Sequence, residues 1–277
     1  MEHTTATFTG GNNTTIFYQT WRPAAPKATV VVVHGYAEHS GRYQHVAEAL
    51  VAANYSVWAL DHRGHGQSQG NRATVKHFDE FVNDLASFVR LVRDKEPNGP
   101  LFMLGHSMGG LISTLYTLDY GHNLHGLVLT GPAFKVDATT PKVVVKVGAF
   151  ISKFLPNLPV APFDPQWNSR DPKVVEAFKA DPLNYKGGIK AQMGTSMINA
   201  TKVIDQRAHE ISLPVLLLQG LADRLVSPAG AMHAFGLFKS QDKTLHSYPG
   251  LYHEVLNEPE QTTLIPLVIE WLDAHMA

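Results

Sequence analysis

Leu101-Phe102-Met103-Leu104 runs straight into Gly105-His106-Ser107-Met108-Gly109-Gly110, and the helical pattern Leu111–Leu118 follows at once. A solid apolar run, a tight glycine-rich turn and a one-sided helix make a strand–turn–helix unit, and its turn reads G-x-S-x-G. The glycines suit a turn so sharp that side chains would strike neighbouring backbone. Ser107 is thereby thrust out at the strand's C-terminal end, above a helix N-terminus that favours developing negative charge. A plain glycine-rich βα turn can carry the same letters. The surroundings decide between the two.

Outward from this unit, similar apolar runs recur at Ala28–Val33, Tyr55–Leu60, Leu127–Thr130 and Val215–Leu218. Uninterrupted β-branched runs of this length suit central parallel strands covered on both faces. Between them, Arg42–Ala53 and Phe78–Arg93 repeat apolar residues at helical spacing, as does the final Thr263–Ala274. Upstream, Thr4–Thr9 and Thr14–Thr20 flank Gly10-Gly11-Asn12-Asn13, a hairpin signature. The alternation predicts an α/β fold, a mostly parallel doubly wound sheet with an N-terminal antiparallel hairpin. One stretch breaks the rhythm: residues 134–209 hold seven prolines and helical pieces but no solid strand run. It is too long for a simple connection. The expectation is a core of residues 1–133 and 210–277 interrupted by a helical cap, 134–209.

Composition narrows the function. The chain has 277 residues, with 23 Lys and Arg against 24 Asp and Glu, so no basic surface for nucleic acid and no acidic tail is expected. Hydrophobic residues make up 44% and charged residues 17%, enough to bury a large core. Cysteine is absent, which removes disulfides, thiol catalysis and thiolate-bound metals and fits a reducing compartment. No basic-then-apolar leader and no membrane-length apolar run is visible, so the expected location is cytoplasmic. The oligomeric state is not legible.

A serine needs a base, and the base needs an orienting acid. In a sheet of this kind the chain order is serine, acid, histidine. Asp223 follows the strand run Val215–Leu218, and His253 follows the edge-strand run Thr244–Tyr248 in the loop Pro249-Gly250-Leu251-Tyr252-His253-Glu254. Alone, Asp223 is an ordinary turn former and His253 an ordinary loop residue. Together with Ser107 at successive strand ends, they make a candidate catalytic triad. Oxyanion donors are expected from the backbone N–H groups of Met108, after the serine, and Tyr36, in the loop that follows Ala28–Val33.

Four blocks together resemble the monoacylglycerol lipase family, bacterial branch, of the α/β-hydrolase superfamily. They are His34-Gly35-Tyr36-Ala37-Glu38-His39-Ser40-Gly41-Arg42-Tyr43, Asp61-His62-Arg63-Gly64-His65-Gly66-Gln67-Ser68, Gly105-His106-Ser107-Met108-Gly109-Gly110 and Tyr248-Pro249-Gly250-Leu251-Tyr252-His253-Glu254. The resemblance implies an α/β-hydrolase fold with a cap over an acyl channel. It also implies no cofactor and hydrolysis of monoacylglycerols to fatty acid and glycerol. By position, Glu38 and Arg42 match residues of that family's polar glycerol pocket; an exposed loop and a helix start are the plainer reading of the same two residues. Tyr36 departs from the smaller or apolar residues common at its position. Lysophospholipase, broad carboxylesterase and a silent ligand receptor on the same scaffold remain alternatives.

The 15 histidines invite a metal reading, but His62 and His65 sit in a glycine-rich loop that resembles a scaffold loop of this family, and no metal is expected. Nor is that loop a phosphate cradle, because Gln69 stands where the third glycine of G-x-G-x-x-G belongs. In the cap, Lys142–Lys153 places three lysines on a narrow arc of an otherwise apolar helix. Such a piece either packs on the core with its lysines in water or lies in a lipid interface, giving transient membrane contact. Phe150, Ile151, Phe154, Leu155 and Leu158 are candidates to line the acyl channel. The expected partner is a small amphiphilic ester.

Overall fold

A run of valine, leucine and phenylalanine without a polar break gains about 1.5–3 kcal/mol per side chain only where both strand faces leave water. The computed structural model, which describes residues 1–135 and 150–276, puts these runs in such places. Among the described residues the strands are β1 (Glu2–Thr9), β2 (Thr15–Arg22), β3 (Ala28–Val33), β4 (Tyr55–Leu60) and β5 (Leu101–His106). They continue as β6 (Gly126–Thr130), β7 (Pro159–Ala161), β8 (Ile189–Lys190), β9 (Val215–Gly220) and β10 (Lys243–Tyr248). Eight of them form one sheet in the order β1-β2-β4-β3-β5-β6-β9-β10. The β1–β2 and β2–β4 pairings are antiparallel and the remainder are parallel. Every residue of β3, β4, β5, β6 and β9 is buried. The hairpin turn between β1 and β2 bends through Asn12 and Asn13, both at φ 56°, a region asparagine tolerates better than most residues.

Side chains alternate across the sheet, so each central strand feeds two cores. Val31 and Val33 pack with Phe81, Leu85 and Phe88 of α2 (Asp79–Lys95) and with Leu111 and Ile112 of α3 (Met108–Tyr120). Val30 and Val32 face the other way, toward Val46 and Leu50 of α1 (Gln44–Ala52) and Leu264, Val268 and Trp271 of the helix Gln261–Ala274. This is the doubly wound arrangement expected from the alternation of runs. Its parallel strands all deliver their C-terminal ends to one edge, where Ser107, Asp223 and His253 follow β5, β9 and β10.

The segment between β6 and β9 carries one element that the sequence reading missed. β7 and β8 pair antiparallel as a separate two-stranded sheet, where only helices were expected. Its strands are three and two residues long and flanked by proline and glycine, too short for a periodic signal. Helices Pro172–Ala180 and Ala191–Arg207 fill much of the rest. Of the amphipathic piece expected at 142–153, residues 142–149 lie outside the described residues, and 150–153 are helical. Hydrogen bonds that fasten the segment to the strand-end loops include Tyr185 N to Ala37 O at 2.9 Å, His39 Nε2 to Asp181 Oδ2 at 2.8 Å, and Glu254 N to Asn168 O at 2.7 Å. No helix of the described residues is long and apolar enough to cross a membrane.

Candidate active site

Ser107 sits between β5 and α3 with φ 52° and ψ −118°. An L-residue held there costs on the order of 1–3 kcal/mol, and such strain persists only where surrounding bonds enforce it. Three bonds do so. Ser107 N donates to Thr130 O at 3.0 Å, while its carbonyl accepts from Leu111 N at 3.1 Å and Ala133 N at 3.0 Å. The helix can come this close because Gly109 has no side chain. A Cβ there would collide with the carbonyl oxygens of Val33 and His34 at the end of β3.

The other two predicted residues meet. His253 Nδ1 donates to Asp223 Oδ2 at 2.7 Å, and both side chains are almost wholly buried. The other Asp223 oxygen accepts from Leu225 N at 2.8 Å and Val226 N at 3.1 Å. Burial alone pushes the Asp223 carboxyl up, but the His253 charge, its hydrogen bond and these two amides bring it below its usual value. Burial likewise pushes the His253 imidazole down. The Asp223 charge and hydrogen bond, with help from Glu254 and Glu38, carry it above its ordinary value. Ser107 and His253 line the same cavity without a hydrogen bond between them, a looseness common before substrate closes the site.

Gly131 is a site residue that sequence reasoning missed. Its φ is +49°, and a Cβ would lie 3.0 Å from His253 O and 3.1 Å from His253 Nδ1. The imidazole packs where that side chain would be. His106 stands on another side of His253, with ring centroids 4.7 Å apart. Burial, then the neighbouring His253, pushes His106 down to about 4, so it adds no competing charge near neutral pH.

Tyr36, in the loop after β3, and Met108, the first residue of α3, flank the serine. Neither amide has a carbonyl partner in the turns and loops of the described residues, which leaves both able to face an oxyanion. The Tyr36 ring is buried edge-on against His65, Phe163 and Tyr185, which accounts for a bulky residue in this loop.

Glu38 borders the cavity, and Arg42 does not. Instead Arg42 holds two buried carboxylates, reaching Glu38 Oε2 at 2.6 Å and both oxygens of Glu254 at 2.8 and 2.7 Å. Glu38 Oε1 is taken by Gly35 N at 2.6 Å and the Tyr43 hydroxyl at 2.8 Å. Burial favours the neutral form of Glu254, yet Arg42 overrides it and holds the carboxyl down to about 2. Glu254 was visible beside His253, but its partner lies 212 positions away. Nothing local announces the pair.

The cavity has a volume of about 190 Å³, and its apolar wall includes Ala133, Phe163, Ile189, Met197, Leu225 and Val226. Phe150, Ile151, Phe154, Leu155 and Leu158, expected along an acyl channel, do not border it. Phe150, Phe154, Leu155 and Leu158 are exposed, by 43–70%, and Ile151 is half-buried. His62 and His65 pack with His34 beneath the Tyr36 loop; burial, then neighbouring imidazoles, holds His34 well below its ordinary value.

A parallel sheet with this strand order, a serine on the strained turn after β5, and a histidine–aspartate pair after the last two strands define an α/β-hydrolase. Sequence and structure comparisons agree. The chain belongs to the monoacylglycerol lipase family, within the wider hydrolase family described as "Serine aminopeptidase, S33", which matches residues 24–260. It is 40% identical over 270 residues to the monoacylglycerol lipase of Mycolicibacterium smegmatis, covering 97% of this chain and 96% of that one. It is 40% identical over 255 residues to the monoglyceride lipase of Homo sapiens, covering 90% and 84% respectively. The crystal structure of Paleococcus ferrophilus monoacylglycerol lipase superposes with a TM-score of 0.83 at 30% identity, covering 99% of this chain and all of that one.

Proposed function

We propose that the chain is a serine hydrolase that cleaves monoacylglycerols to a free fatty acid and glycerol. The observation that carries this reading is the 2.7 Å contact between His253 Nδ1 and Asp223 Oδ2 on the wall of the cavity that holds Ser107. The substrate class is supported by the similarity to monoacylglycerol lipases. Ser107 Oγ attacks the ester carbonyl while His253 Nε2 takes its proton, and Asp223 holds the tautomer and stabilises the imidazolium. The N–H groups of Tyr36 and Met108 receive the negative charge of the tetrahedral intermediate. His253 then protonates the leaving glycerol oxygen. Water, deprotonated by the same imidazole, releases the fatty acid from Ser107.

Aminopeptidase chemistry would need an acidic group for a substrate ammonium. Glu38 and Glu254 are already paired to Arg42, which favours the ester reading. We assign residues 1–133 and 210–277 to the hydrolase core and 134–209 to a cap. The exposed Phe150, Phe154, Leu155 and Leu158 support transient contact between that cap and a membrane interface rather than lining of the cavity.

The test is a panel of monoacylglycerols, triacylglycerols, lysophospholipids and short esters, with fluorophosphonate labelling alongside. Ser107→Ala should abolish labelling and cut turnover by orders of magnitude, leaving on the order of 10³–10⁴ over water. Persistent turnover or labelling in that variant would discard Ser107 as the nucleophile. A lysophospholipid as the preferred substrate would replace the monoacylglycerol assignment.

A further inference from the structure

Asn168 is 1% exposed and borders the cavity, and neither its Oδ1 nor its Nδ2 has a hydrogen-bond partner. Among the described residues it is the one cavity-lining side chain with buried polar atoms in this condition. A buried amide left unbonded is costly, and one without a protein partner at a binding cavity keeps its donor and acceptor available to a molecule that enters. Because donor and acceptor are both free, either orientation of the amide offers one of each to the cavity.

Asn168 is also held rigidly, and held on the histidine's side of the cavity. It ends the short turn Pro165–Trp167, which is capped by Asp164. The Trp167 ring is gripped between the Arg224 guanidinium, 4.0 Å from its centroid, and Tyr252, at 5.6 Å. The Asn168 carbonyl accepts from Glu254 N at 2.7 Å, one residue beyond His253. The imidazole returns its proton to the departing oxygen, so the wall beside it faces the alcohol half of the ester. Of the polar neighbours there, Glu38 and Glu254 spend their oxygens on Arg42, Tyr43, Asn257 and the Gly35 amide, and the Arg224 guanidinium lies over the Trp167 ring.

We propose that the Asn168 carboxamide is a specificity-determining group that donates to, and accepts from, hydroxyls of the leaving alcohol. A hydroxyl both donates and accepts, and a vicinal diol offers two such groups at the spacing of an amide's oxygen and nitrogen. The enzyme therefore discriminates esters of hydroxyl-bearing alcohols from esters of plain alkanols with the same acyl chain. This inference rests on the ester-hydrolase reading.

The experiment compares a monoacylglycerol with the propyl ester of the same fatty acid in the wild type and in Asn168→Leu, which keeps the volume and removes both polar atoms. Expected is a loss of about tenfold or more in kcat/KM for the monoacylglycerol, with the propyl ester within about twofold and an unchanged or higher Tm. Equal losses on both substrates, or no loss on either, would overturn it. An amide serving only the fold would move both substrates together. Calorimetry with a non-hydrolysable monoalkylglycerol ether and the matching propyl ether separates this idea from the hydrolase reading. If the wild type hydrolyses neither ester, weaker binding of the glycerol ether alone to the variant still upholds the Asn168 contact; equal binding of that ether by both proteins rejects it.

Discussion

His253 works against its own surroundings. Full burial disfavours its cation, and Asp223 with two further carboxylates restores it and more, leaving the imidazole above its ordinary value. A raised value means the base stays protonated, and so useless as a base, to a higher pH than a free imidazole would. The acidic limb of kcat/KM should therefore fall at a pH above about 6.5. Asp223→Asn removes the largest upward influence and leaves burial dominant. That variant's limb should move to lower pH while its plateau drops about 10⁴-fold. A pH–rate profile over pH 5–9 checks both, and a limb that stays put after the substitution would detach Asp223 from His253. The same residue shows where sequence reading ends. Asp223 and His253 were legible because each follows a strand, whereas Gly131 and Asn168 were not, since what makes them matter is a neighbour brought from far along the chain.

At the scale of elements, the seam between β3 and α3 sets the position of Ser107. Gly109→Ala would drive a methyl into the carbonyls that end β3, forcing the helix away from the sheet. A destabilisation of roughly 3 kcal/mol or more is expected, read from the urea midpoint, with activity lost in proportion to misplacement of the serine. Gly236, near the end of the helix Pro228–Leu237, has nothing within 4 Å of an added Cβ. Gly236→Ala should stabilise by about 0.5–1 kcal/mol, and a loss there would mean that helix is not the regular element described. Elements with long periodic patterns were readable in advance, and β3 and β4 begin and end where their apolar runs do. β7 and β8 were not, because a two- or three-residue strand carries no period, only a pairing partner supplied by the rest of the fold.

For the molecule as a whole, the buried histidines set an acid limit on stability. Burial first, then neighbouring charges, holds His62 at about 3 and His65 and His106 at about 4, with His34 also well below its ordinary value. Unfolding frees each to bind a proton near pH 6.5, so the unfolded chain takes up more protons as pH falls. Their stabilisation is complete above about pH 6.5 and is lost toward pH 4 and below, at about 1.4 kcal/mol per pH unit for each imidazole. His253 titrates in the opposite sense but is one group against four. Urea midpoints should fall steeply between pH 6.5 and 5, and a flat profile there would mean these rings are solvated in the folded state. A different consequence follows from the bonds Tyr185 N–Ala37 O and His39–Asp181. They join the segment between β6 and β9 to the Ala37 backbone and the His39 side chain, on either side of Glu38, in the loop that also presents the Tyr36 amide. A displacement of that segment is thereby transmitted through two short bonds to the residues that follow Tyr36.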